Sequence, residues 1–182
     1  ASIANYLKAY GWQAGRDWGY EARIPDNVSC SLEGPDRMRP ISQWVAAGVK
    51  RVSGKPFPAH ELGQQGAILL PAGRYGPVFV ATPNFYAIKK YNNSDLYALF
   101  VGNVADRIQY SNRPFQTDWQ PVTGITRGEV MRMQNELVRQ GHDVGGADGL
   151  AGFKTRRSIG AWQEKSGLRT TCFPSNELVK RF

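Results

Sequence analysis

The stretch TRGEVMRMQNELVRQGHDVGGADGLAGFKTRRSIGAWQEKSG, residues 126–167, carries two helical periods separated by a glycine-rich turn. Val130, Met133, Leu137 and Val138 share one face of a helix predicted from about Thr126 to Gln140, and Gly141 stands where such a helix ends. Ile159 and Trp162 play the same inward role in a second helix, from about Phe153 to Gly167, and Ser175 to Lys180 predicts a short third. Asp148-Gly149 and Gly152 lie between the first two, where glycine permits the backbone angles of a tight turn. Residues 125–182 are therefore expected to form a miniature helical bundle. Leu137, Ile159 and Trp162 would fill it, Asp148 would bond amides of its own loop, and Thr155 would cap or support the second helix.

Upstream of this unit, residues 111–124 are rich in Asn, Pro, Thr, Asp and Gln and read as a turn-rich linker between domains. Before the linker, Leu96, Tyr97, Leu99, Phe100, Val101, Val104 and Ile108 cover most of a helix circumference. That pattern predicts a buried helix from Ser94, its N-cap, to about Ile108. Between Trp12 and Tyr75 the texture changes to short runs broken by Gly and Pro. Trp18 to Ile24 alternates as a half-buried strand does, a brief helix spans Ile41 to Ala47, and Ala67–Leu70 with Pro77–Ala81 predict a hairpin through Pro71, Gly73 and Gly76. At the start, Ile3, Tyr6, Leu7 and Tyr10 fall at helical spacing before Gly11. This apolar stripe begins almost at residue 1, so the helix is expected to pack on something that precedes the chain.

The bulk composition excludes several classes. At 182 residues with 41% hydrophobic content the chain can bury a core. No run approaches the roughly 20 apolar residues of a membrane-spanning helix, and no signal-peptide pattern opens the chain. The net charge of +8 suits any polyanion, whether nucleic acid, an anionic membrane or a carboxylate-bearing cell wall. The basic residues fall in small groups, Lys50-Arg51, Lys89-Lys90, Arg156-Arg157 and Lys180-Arg181, that read as solvated surface without a nucleic-acid motif. Cys30 and Cys172 lie far from zinc-finger spacing with His60 and His142, so no metal and no cofactor is expected. The two cysteines could form a disulfide in an oxidising compartment or remain separate buried thiols.

Two motif sets resemble known families. The pattern Gln134, Leu137, Gly141, Asp148-Gly149, Gly152, Thr155, Ile159, Trp162-Gln163 and Gly167-Leu168 resembles the small three-helix peptidoglycan-binding domain of wall hydrolases. Ala4-Asn5-Tyr6-Leu7, Gly11-Trp12, Pro83-Asn84-Phe85-Tyr86, Tyr91-Asn92-Asn93-Ser94, Tyr97-Ala98 and Ala105-Asp106-Arg107-Ile108 resemble the second half of the membrane-bound lytic transglycosylase B family. The combined expectation is an α+β chain. Residues 1–110 would be the C-terminal part of a lysozyme-like catalytic domain with a small β-rich insertion at about 13–82, followed by the linker at 111–124 and the peptidoglycan-binding bundle at 125–182.

The resemblance implies a chemistry. Such enzymes cleave the β-1,4 bond between MurNAc and GlcNAc without water, the muramoyl 6-hydroxyl attacking intramolecularly to leave a 1,6-anhydro sugar, so that one carboxylic acid suffices. The family's Glu-Thr/Ser-x-Trp/Tyr-Gly and Gly-Gln-Phe-Met-Pro elements do not occur here. Among the carboxylates present, Glu21, Glu33, Asp36, Asp95 and Asp106, none has a sequence setting that would raise its pKa for acid duty, so no catalytic residue is assigned and the chain alone is expected to be inactive. By the resemblance, Tyr6, Tyr91, Asn92 and Tyr97 line a sugar cleft, against the alternative of core aromatics and a turn cap. Arg156, Arg157 and Gln163, expected as exposed groups beside the bundle loop, are candidates for peptidoglycan contact. The implied partners are glycan strands and stem peptides, together with an N-terminal half of the catalytic domain. The implied location is periplasmic, with an outer-membrane anchor only outside this chain. The rival readings are a non-catalytic wall-binding or assembly protein and, more remotely, a basic nucleic-acid binder with helix-turn-helix-like terminal helices.

Overall fold

In the computed structural model, which describes residues 2–110 and 114–182, a small antiparallel sheet separates two apolar layers. The strands are β1 (Gly19–Arg23), β2 (Arg39–Pro40), β3 (Lys50–Arg51), β4 (Gln65–Leu69), β5 (Pro71–Arg74) and β6 (Val78–Ala81). Five of them pair in the order β2-β4-β6-β1-β3. Tyr20 stands opposite Val80 and Ile68 opposite Val80 from the other side, so β6 is the central strand, and all four of its residues are buried. The expected hairpin is present as the β4–β6 pair, with β5 lying in the connection.

Alternation along these strands assigns each residue to a face. Tyr20, Ala22, Ile68, Val78 and Val80 point to a core with Val28, Cys30, Ile41, Trp44 and Phe57. Trp44 belongs to the helix α2 (Ile41–Ala46) and donates its indole N–H to the Gly66 carbonyl. Leu69, Phe79 and Ala81 point the other way, onto Trp18 and two helices, α3 (Pro83–Tyr91) and α4 (Asp95–Tyr110).

Helix α3 starts where the sequence places Thr82-Pro83-Asn84. The Thr82 hydroxyl accepts the Asn84 amide and donates to the Asp17 carbonyl, and Pro83 occupies a first-turn position that needs no N–H donor. Asn84 is wholly buried. Its side chain accepts from the Gln13 amide and donates to the Gln13 and Arg16 carbonyls, clamping the 12–16 loop to α3. Helix α1 (Ser2–Ala9) precedes that loop and buries none of its residues.

The expectation of a buried helix at 94–108 is corrected. Only Ala98, Leu99 and Gly102 of α4 are buried, while Leu96, Phe100, Val104 and Ile108 are exposed at four-residue intervals along one face, Phe100 at 68% and Ile108 at 82%. A sheet this small has one broad side for α3 and α4, and the indole of Trp18 against Gly102 fills the near side of α4.

Helices α5 (Arg127–Arg139), α6 (Phe153–Lys165) and α7 (Asn176–Val179) enclose a third core of Val130, Met133, Leu137, Val144, Ile159, Leu178 and Val179. Thr126 and Glu129 form a reciprocal capping box at the start of α5. The polar residues of the motif are scaffold. Gln134 donates to Thr155 and the Leu150 carbonyl and accepts from the Gly149 amide, Thr155 donates to the Val144 carbonyl, and Asp148 accepts the Leu150 amide. Trp162, expected in the core, sits half-buried at its rim against Phe182.

Of the expected linker, residues 111–113 lie outside the described residues. Residues 114–124 are neither helix nor strand, yet they are fastened. The Glu21 carboxylate accepts the amides of Gln116 and Thr117, the Gln120 amide donates to the Tyr75 carbonyl, and Phe115 packs edge-on against Phe79.

Candidate functional site

Tyrosines from three helices meet at one edge of the molecule. Tyr6 of α1 lies edge-on to Tyr91 at the end of α3, 5.7 Å between ring centroids, and Tyr91 stacks on Tyr97 at the start of α4, 6.2 Å apart and 17° from parallel. The Tyr6 hydroxyl donates to the Lys90 carbonyl at 2.7 Å, which pins α1 to the last turn of α3. Asn92 follows directly in extended conformation, and its carbonyl accepts the Ser94 amide in the turn into α4. The four residues singled out from the sequence are thus brought together. Tyr91 is 60% exposed, Tyr6 and Tyr97 are half-buried, and Asn92 is exposed.

Tyr10, from the same helical stripe as Tyr6, joins the group at 4.4 Å from it. Its signal was the four-residue spacing that puts it one helical turn along the same face. Desolvation, then Tyr10 and Tyr91, push the Tyr6 phenol above its ordinary pKa, so it remains a neutral donor. A row of aromatic faces with hydroxyl tips and an adjacent primary amide can stack on and hydrogen-bond to a pyranose carrying acetamido groups.

Two of the three residues expected to be exposed beside the bundle loop are instead inside. Arg156 is 2% exposed. It donates to both carboxylate oxygens of Glu33, at 3.0 and 2.6 Å, and to Asp95 at 2.8 Å. Glu33 also accepts the Leu70 amide, and Lys89 completes the network on the other oxygen of Asp95 at 2.7 Å. Gln163 is 4% exposed and spends its side chain on Thr171 and on the Cys172 amide. Arg156 is covered because α6 packs against the 30–33 region that carries Glu33, and Gln163 because it turns to the 171–172 segment that follows α6. Arg157 is half-buried and pairs with the exposed Asp36 at 2.9 Å.

Glu33 departs from the sequence expectation as well. It is wholly buried, and burial pushes its carboxyl above the ordinary value while Arg156 and the Leu70 amide pull it back. Burial acts the same way on Asp95, but there Arg156 and Lys89 win and hold the carboxyl below the usual range. Burial would lower the Arg156 guanidinium, yet Glu33 and Asp95 raise it further, so the arginine stays charged. A carboxylate occupied in this way holds two parts of the chain together.

A disulfide between Cys30 and Cys172 closes the same joint, across 142 residues of sequence. Gly160 permits it, because a Cβ at that position would sit on the Cys172 sulfur. Gly73, at φ +57, lets β5 approach the Thr171 carbonyl, to which the Arg74 amide donates one strand step away. Above the joint a groove of about 530 Å³ opens between the α3–α4 turn and the loop before α6. Among the described residues no group of three or more His, Cys, Asp or Glu side chains is placed to hold a metal ion, and no helix is long and apolar enough to cross a membrane.

The mixed helix and sheet architecture, with its capped Asn-bearing helix and converging tyrosines, resembles the lytic transglycosylase fold. The chain belongs to the transglycosylase SLT domain family, whose profile matches residues 1–106. It is 32% identical over 115 residues to membrane-bound lytic murein transglycosylase B of Escherichia coli K12, a match covering 59% of this chain and 28% of that protein. Over its whole length it resembles SltB3 of Pseudomonas aeruginosa, solved in complex with NAG-anhNAM-pentapeptide, at 41% identity and a TM-score of 0.85. That match covers 48% of the SltB3 chain. SltB3 in complex with NAG-NAM-pentapeptide matches at a TM-score of 0.84. The chain therefore spans about half the length of SltB3, and its match to the E. coli protein covers less than a third of that protein.

Proposed function

We propose that this chain is the glycan-gripping part of a periplasmic lytic murein transglycosylase. Tyr6, Tyr91 and Tyr97 would offer ring faces and hydroxyls to the sugar strand, and Asn92 would hydrogen-bond an acetamido group. Residues 1–110 would be the second part of the catalytic domain and 111–124 its linker. Residues 125–182, with helices α5 to α7, would be a three-helix peptidoglycan-binding module in which Arg157 is the one remaining candidate contact of the original three. The observation that carries this reading is the likeness of this whole chain to about half of SltB3, a protein solved in complex with NAG-NAM-pentapeptide.

Cleavage to 1,6-anhydroMurNAc needs a carboxylic acid beside the scissile bond, and we assign that acid to a longer parent or a companion segment. The exposed ridge Leu96, Phe100, Val104 and Ile108 supports such an arrangement, because a contiguous apolar face on a helix favours burial against another helix. The test is co-sedimentation with purified sacculi, with soluble products analysed by mass spectrometry. The chain should pellet with the sacculi and release no anhydromuropeptides. Protein that stays in the supernatant refutes the binding reading, and released anhydromuropeptides refute the assignment of the acid elsewhere.

A further inference from the structure

The ionic joint and the tyrosine edge share one element, the turn from α3 into α4. Tyr91 ends α3, Tyr97 lies in the first turn of α4, and their rings stack across the turn. Two local bonds shape it: the Asn92 carbonyl accepts the Ser94 amide, and the Ser94 hydroxyl accepts the Tyr97 amide. An ion pair then closes it. The Lys89 ammonium, in the last turn of α3, donates to Asp95, the first residue of α4, at 2.7 Å, and the two side chains are only 13% and 11% exposed. A pair this sheltered from water is little screened.

Helix α6 of the terminal bundle grips both ends of that pair. The other oxygen of Asp95 accepts from Arg156 at 2.8 Å, and Arg156 is itself fixed by both oxygens of Glu33 and by the Ala151 carbonyl. Lys89 places its ammonium over the Phe153 ring, 6.0 Å from the centroid.

We propose that Asp95 is a positioning residue for glycan binding, through which α6 of the terminal bundle sets the spacing of Tyr91 and Tyr97; the proposal rests on the glycan-binding reading above. The two rings belong to different helices, so their 6.2 Å separation and near-parallel stacking depend on the angle that the Lys89–Asp95 pair spans. Tyr6 follows the same framework, because its hydroxyl donates to the carbonyl of Lys90. Both Asp95 oxygens are engaged, one by Lys89 and one by Arg156, so the carboxylate acts through the tyrosines and not on a sugar. Rings held at a fixed spacing before the ligand arrives lose less freedom on binding, and the gain appears as affinity.

The experiment is calorimetric titration of the full chain with NAG-NAM-pentapeptide, comparing Asp95→Asn with Glu33→Gln, each alone and combined with Tyr91→Ala. Asp95→Asn keeps the side-chain shape and removes the charge that holds the turn. Glu33→Gln weakens the same joint on the side away from the turn, and thermal melts report the stability lost in each variant. Asp95→Asn should weaken binding about fivefold and Glu33→Gln less than about twofold. In the Tyr91→Ala background, Asp95→Asn should weaken binding no further, because the two changes remove one and the same stack. If Asp95→Asn does not fold, Lys89→Met breaks the pair from its other end, leaves Asp95 bonded to Arg156, and should weaken binding in the same way. Unchanged affinity in the folded variant, equal losses in Asp95→Asn and Glu33→Gln, or additive losses in the double variant overturn the positioning role while the glycan reading stands. A wild-type protein that fails to bind, or Tyr91→Ala binding as tightly as wild type, overturns the glycan reading and this role with it.

Discussion

The tyrosine edge and the ionic joint lie on the same molecule and obey opposite rules. At the edge, α1 has no fully buried residue and α4 only three, and large apolar side chains such as Phe100 and Ile108 face outward. At the joint, Glu33, Arg156 and Gln163, which composition alone would place in water, are almost wholly inaccessible. Glu33 and Arg156 are partners 123 residues apart and the bonded cysteines 142, while Gln163 is satisfied by Thr171 and Cys172 close by in sequence. A charge can be buried when a complementary charge arrives from elsewhere, and an apolar stripe can stay exposed when the layer beneath it is already full. The joint therefore fastens distant parts of the chain, while the edge leaves aromatic faces open to solvent.

The contrast can be broken by substitution, most severely at the joint. Removing the disulfide by Cys30→Ser with Cys172→Ser should cost about 4 to 5 kcal/mol of unfolding free energy, since it releases a loop of well over a hundred residues. Urea denaturation of oxidised and reduced protein measures it. Arg156→Ala should cost about 4 kcal/mol, because it leaves Glu33 buried and unpaired. In the same denaturation assay, Arg156→Ala paired with Glu33→Gln should recover part of that loss.

A smaller effect tests the helix ends. Thr126→Ala should cost about 1 kcal/mol by removing the cap of α5. The Thr126 amide and hydroxyl hold the Glu129 carboxyl below its usual range. The folded value lies below the unfolded one of about 4.3, so the bond contributes in full above that pH and is lost as pH falls through the lower folded value. Melts taken from pH 7 downward should show the wild-type advantage over Thr126→Ala shrinking only under acid conditions. The smallest effect belongs to the exposed ridge: Phe100→Lys should change the stability of this chain by less than about 0.5 kcal/mol, read from the same melts. A loss of several kcal/mol would mean that α4 is buried after all.

Local pattern made much of this legible. The α5 helix and the β4–β6 hairpin follow from periodicity, glycine and proline alone, and Tyr6, Tyr91 and Tyr97 come together at one edge. What escaped depended on contacts that periodicity does not encode. The apolar residues around α4 gave no clue that a small sheet would cover only one side of it. The adjacent pair Arg156-Arg157 reads as solvated surface until a glycine-proline turn far upstream delivers Glu33 and Asp36 to meet it. Gln163 reads from the sequence as an exposed group beside the bundle loop, whereas its side chain holds the Thr171 and Cys172 amides beside the disulfide.

The most direct test of the account is an equilibrium binding curve for sacculi with wild-type protein and Tyr91→Ala, a position exposed enough that the fold should tolerate the change. Loss of one stacking face worth about 1 kcal/mol predicts weaker binding by roughly fivefold at an unaltered melting temperature. Superimposable curves for the two proteins would contradict the claim that this tyrosine edge holds the glycan strand.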